Sequence, residues 1–140
     1  MMGLMTRLKM ETMADPAVLK RLEAARHHLG PHGGVLMAEM VSAARQGLNA
    51  TVIIQACAVL DVMLREPSGR PFDADGMDLA AARDSRDAFW LRERRNGIVH
   101  YEGGQGGLMG DDSDVSLARD ADRALKTVIE AIDLLVWGVE

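Results

Sequence analysis

One cysteine, three lysines and five aromatic side chains in 140 residues remove several ordinary sources of stability and chemistry. With Cys57 alone no intramolecular disulfide can form, and its place in the apolar run TVIIQACAVL predicts a small packed hydrophobe rather than a reactive thiol. No segment reaches the ~20 apolar residues of a membrane span, so no membrane partner is expected. The start, MMGLMTRLKMETM, lacks an apolar stretch of signal-peptide length, and a soluble, unprocessed, cytoplasmic protein is expected. A net charge of −5 removes any bulk attraction to nucleic acid, so a contact of that kind would have to be local. What is present suffices for one domain, because a chain of this length buries roughly two-thirds of its unfolded surface.

Basic charge is uneven. Arginine outnumbers lysine thirteen to three, and Arg83, Arg86, Arg92, Arg94 and Arg95 fall close together. Arginine's planar fork suits phosphate, but it suits carboxylates equally, and Asp84, Asp87 and Glu93 are interleaved. A solvated, salt-bridged helix face accounts for most of this cluster.

Periodicity predicts four helices. Asp15-Pro16 caps the first, with Val18, Leu22, Ala25 and Leu29 repeating every three or four residues until Gly30-Pro31 stops it. The segment GPHGG is expected to turn the chain. A long second helix, Val35 to Glu66, ends at Pro67 and is apolar on nearly every side in its second half. The connector EPSGRPFDADG precedes a third helix from about Met77 to His100, and EGGQGGLMGDDSD is read as a mobile loop. A last helix, Asp114 to Trp137, presents Leu117, Ala121, Leu125, Val128, Ile132 and Leu135 on one face. Residues 1–14 are expected to be a flexible lead, and 15–140 a single all-α domain, an antiparallel up-down four-helix bundle. The apolar girth of the second helix calls either for a homodimer or for complete enclosure by its own three neighbours.

Within the third helix, Leu91, Arg95 and Val99 lie within about 40° of a common line, which embeds a charge in the apolar arc. Such a guanidinium has to meet a carboxylate, a ligand anion or a water-filled seam. Asp61, on the apolar part of the second helix, is the candidate structural partner. His100 follows five residues after Arg95, about 140° around and ~7.5 Å along a continuous helix, so the two side chains diverge unless a second subunit supplies one of them. Histidine titrates near neutrality and can exchange a proton with a ribose 2′-hydroxyl or a leaving 5′-oxygen, while arginine offsets charge on a phosphate. That pair needs no metal and no cofactor, and its chemistry is confined to RNA.

The stretch LRERRNGIVHY resembles the signature of the HEPN superfamily, the nucleotide-binding domains of higher eukaryotes and prokaryotes: Arg, four to six residues, then His, with a polar residue after the Arg. Arg95, Asn96 and His100 match with four residues between, and Arg94 matches with five. The resemblance implies an all-α, usually dimeric bundle, and for many members a metal-independent ribonuclease leaving 2′,3′-cyclic phosphate ends in a toxin or defence role; others are inactive binding modules. It makes Arg95, Asn96 and His100 the candidate catalytic residues and Arg92, Arg94 and Tyr101 candidate substrate contacts. Implied partners are a second copy, RNA or a nucleotide, and an antitoxin or nucleotidyltransferase-like protein. The toxin branch with such antitoxins carries a Tyr two places after the His, whereas Tyr101 here follows it directly.

Other constellations point elsewhere. His27, His28 and His32 lie close together, but Pro31 interrupts them and no Cys or acidic cluster adjoins, so a polar loop is read rather than a metal site. GGQGG lacks the preceding strand and the Lys-Ser/Thr of a phosphate loop and is read as a linker, close enough to His100 to serve as a lid. The ten methionines are core fillers, and Trp90 and Trp137 packing residues, with Trp90 a secondary candidate for base stacking.

Overall fold

In the computed structural model the residues described are 14–66, 77–100 and 114–137, and among them no strand occurs. Six α-helices follow in chain order: α1 (Pro16–Ala25), α2 (Pro31–Arg45), α3 (Asn49–Arg65), α4 (Met77–Arg83), α5 (Arg86–Val99) and α6 (Asp114–Ile132). Among the described residues the all-α expectation holds, and six helices stand where four are expected. The N-terminal lead, the connector 67–76, the GGQGG loop, Tyr101 and the side chain of Trp137 lie outside the described residues.

The second predicted helix is divided because Gly47 adopts φ +72°, a left-handed conformation that costs a side-chain-bearing residue but not glycine. The Gly47 N–H donates to Ala44 O at 3.1 Å and the Leu48 N–H to Ala43 O at 3.0 Å, which closes the last turn of α2 as a Schellman motif. A helix hairpin results, and its far end is tied by a carboxylate. Gly30, at the cap of α2, has no side chain to offer, and Glu66 at the end of α3 does that work instead. Its Oε1 accepts from the Gly33 N–H and its Oε2 from the His32 N–H, each at 2.9 Å. The His32 ring donates through Nδ1 to the same Oε2. GPHGG is therefore not a loop: Pro31 opens α2 and Gly33 and Gly34 are buried within its first turn. Gly33 has little choice, since a Cβ there would stand 3.3 Å from Leu29 Cβ.

The third predicted helix is divided at Ser85, whose hydroxyl accepts from the Ala88 N–H at 3.0 Å and restarts the chain as α5. Around α3 the core is assembled from Val52, Ile53, Ala56, Cys57, Val59, Leu60 and Met63, with Leu22 of α1, Met37, Met40 and Val41 of α2, Leu91 of α5, and Leu125, Val128 and Ile132 of α6. Cys57 is the packed hydrophobe its setting predicts; burial, followed by the charge of Asp61, pushes its thiol pKa up, so it stays protonated. The predicted stripe is buried from Ala121 on α6 to Leu135 in the π-helical turn Asp133–Trp137 that continues it. Direction follows from the contacts. The end of α3 meets the start of α2; Asp61 and Cys57 of α3 meet Arg92 and Arg95 of α5 in reverse order; Asp87 and Arg94 of α5 meet Arg123 and Asp120 of α6 in reverse order. Each of these three pairs is antiparallel. One flank of α3, carrying Ile54, Ala58 and Val62, is only half-buried, and on it Gln55 Oε1 is buried without a hydrogen-bond donor among the described residues.

Two measurements check this account. Replacing Gly47 with Ala meets open space but a disfavoured φ, and urea denaturation should show a loss of about 1–2 kcal/mol. The hydrogen bonds to Glu66, that from Gly33 first, hold its carboxyl below the usual 4.5, so its stabilisation is present above that value and lost as pH falls through the lowered folded value. Glu66→Gln should accordingly lower Tm at neutral pH, and the difference from wild type should close as pH falls through the lowered folded value. A pH-independent difference would mean that the charge does not cap α2.

Candidate functional site

Rotation of α5 about its axis decides which arginine faces what. The buried line runs through Ala88, Leu91 and Arg94, while Phe89, Glu93, Val99 and His100 are exposed. The expectation that Arg95 occupies the apolar arc is therefore corrected by one residue. Arg94 is the enclosed guanidinium, 8% exposed, and its Nε donates to Oδ2 of Asp120 on α6 at 2.9 Å. Arg123 of the same helix binds Asp87 at 3.0 Å and stacks over the Trp90 ring at 4.0 Å, so that face of Trp90 is taken by the protein's own cation rather than offered to a base.

Arg92, Arg95 and Asn96 form a second line, half-buried, turned toward α3. Asp61, the anticipated partner of Arg95, is instead ion-paired with Arg92 at 3.6 Å, and Arg92 Nη1 also donates to Arg83 O at 3.2 Å. Both partners of that pair are about one-third exposed, and its contribution to stability is under about 1 kcal/mol. Arg95 has no carboxylate partner among the described residues. Its Nε donates to Oδ1 of Asn96 at 2.9 Å, a bond that steadies the guanidinium and leaves its terminal N–H groups available. Of the five clustered arginines, Arg83, Arg92 and Arg94 are engaged by carboxylates, which bears out the salt-bridged reading for most of the cluster.

His100 stands exposed at the end of α5, with its N–H donating to Asn96 O at 2.9 Å. Asn96-Gly97 thus does not loosen the last turn. Regular geometry from Arg95 to His100 keeps them about 140° and ~7.5 Å apart, so the structure joins Arg95 to Asn96 but not to its own His100. The described residues contain no group of three His, Cys, Asp or Glu placed to hold a metal, and His32 is engaged with Glu66. Sequence reasoning missed Asp120, Arg123 and Glu66 as partners. The residue types carried no local signal for them, since each reaches its partner across 26 to 36 positions.

The two neighbouring arginines should behave oppositely. Arg94→Ala strands the Asp120 carboxylate in a half-buried seam and should cost about 3 kcal/mol in urea denaturation. Arg95→Ala removes no ion pair and should stay within about 0.5 kcal/mol of wild type. Equal losses would contradict the assignment.

No family model, curated protein or solved structure matches the chain, so the site is read from its own geometry.

Proposed function

We propose that the chain is a metal-independent endoribonuclease of the HEPN type, built on an antiparallel up-down frame of α2, α3, α5 and α6 and working as a homodimer with a composite site at its dyad. The observation that carries the reading is the half-exposed Arg95 guanidinium, held by Asn96 and unpaired with any carboxylate among the described residues, beside neighbours that are paired. The divergence of Arg95 and His100 along one helix favours a site completed by a second copy. The half-buried flank of α3, with Ile54 and Ala58, supplies apolar surface for that contact.

In this reading Arg95 of one or both subunits holds the scissile phosphate of RNA and offsets its developing charge. One His100 ring accepts the proton of the 2′-hydroxyl as the 2′-oxygen bonds to phosphorus. The bond from phosphorus to the 5′-oxygen breaks, and the partner's His100 protonates that leaving oxygen, giving a 2′,3′-cyclic phosphate end. Arg92 and Tyr101 contact the substrate strand, whereas Arg94 serves the fold. A toxin or defence role in the cytoplasm, with an antitoxin as partner, fits such an activity.

A non-catalytic module of the same fold, binding a nucleotide or a protein, is favoured by one specific observation: carboxylates already engage Arg83, Arg92 and Arg94, leaving little cationic surface for a long RNA. The two readings separate in one assay. Purified protein should cut single-stranded RNA in excess chelator, and Arg95→Ala or His100→Ala should reduce the rate at least about a hundredfold with Tm preserved. Nucleotide-dependent stabilisation without cutting would establish the binder instead.

A further inference from the structure

The start of α2 and the end of α3, tied by Glu66, leave between them an open groove of about 770 Å³ that the proposed ribonuclease chemistry does not use. Its floor is apolar, made by Pro31, Val35, Leu36 and Val62, and Val35 is 53% exposed on a helix that buries Met37, Met40 and Val41. A volume in this range is that of a small-molecule site. The charges around it are unequally committed. Asp61 is paired with Arg92, and Glu66 accepts from three N–H donors, so neither carboxylate is free to receive a cation. Arg65, on the groove wall, is exposed and has no ion-pair partner among the described residues.

We propose that this groove binds a small amphipathic anion, its apolar body lying on Val35, Leu36 and Val62 and its carboxylate or sulfonate on the Arg65 guanidinium. Size argues against a macromolecule. Each wall, Pro31–Leu36 and Asp61–Glu66, is roughly 7.5 Å long, short of the ~10 Å that the i to i+7 anchors of a docked helix occupy. Eight lining residues are also well below the ~20–30 of a standard protein interface. Apolar contact supplies the affinity, and the arginine orients the head group, since a charge-assisted bond at a rim beside an apolar floor is stronger than one in open water.

The experiment uses the full chain with two probes, anilinonaphthalene sulfonate followed by fluorescence and dodecanoate below its micellar concentration as competitor. Saturable one-to-one binding of the dye, displaced by dodecanoate, is expected. Arg65→Glu should weaken it at least about tenfold. Val62→Trp, which fills the groove without adding charge, should abolish it, while Val115→Asp, altering an exposed valine elsewhere, should leave it unchanged. Melting curves by circular dichroism establish that each variant is folded. Absence of saturable binding, or wild-type affinity in either the Arg65 or the Val62 variant, overturns the proposal. So does a dimer by sedimentation in which neither probe competes, because a second copy then covers the groove.

Discussion

The desolvation of one guanidinium sets the geometry on which the rest depends. Taking Arg94 out of water costs several kcal/mol unless a carboxylate and further acceptors replace the solvent, and Asp120 of α6 presents such a carboxylate. Meeting it fixes the rotation of α5. Once Arg94 points to α6, the helical period sends Arg92, Arg95 and Asn96 toward the half-open flank of α3 and turns Val99 and His100 outward. The Asp87–Arg123 pair and the stacking of Arg123 on Trp90 repeat the same registration a turn or two away, so the orientation of the candidate site does not rest on a single contact.

The α2–α3 hairpin shows a comparable division of labour between its two ends. At the turn, Gly47 takes up the left-handed conformation and the Schellman hydrogen bonds satisfy carbonyls that a helix end would otherwise leave to water. At the open end, Glu66 satisfies donors that Gly30 cannot. The second contact spares the first turn of α2 from needing a capping side chain, and Gly33 and Gly34 pack there. It also ties together the ends of both helices, whose side chains line the groove. The groove thus lies where the hairpin is closed.

Much of the fold was legible and the legible part had short-range causes. Asp15-Pro16, the buried stripe of α6 and the packed setting of Cys57 are statements about neighbours a few residues apart, and they stand in the structure as expected. The helix count failed where a stop signal lay inside an apolar pattern: Gly47 followed by Leu48, and a capping Ser85 after Asp84, are local signals that the continuing periodicity outweighed. GPHGG failed for a different reason, because its helical character depends on a carboxylate more than thirty residues away. The site was legible as a motif but not in phase. Arg94 and Arg95 differ by about 100° on the helix, and Leu91 lies close enough to both lines that only Asp120 decides between them.

That one-residue correction bears on the chemistry. A guanidinium enclosed by its own subunit's acid is already neutralised and has nothing to offer a phosphate, so Arg94 is removed from the candidates by the same contact that orients the helix. Arg95 keeps its charge uncompensated by any described carboxylate, and the amide of Asn96 orders it without neutralising it. This is the condition electrostatic stabilisation requires, a donor fixed beforehand whose charge is still available. His100 satisfies the complementary condition of exposure but points elsewhere on the same helix. The regular turn between them sets the two side chains about 140° apart around the helix axis. In the proposed homodimer a second copy supplies one of the two groups, and that is why assembly and chemistry are coupled in that reading.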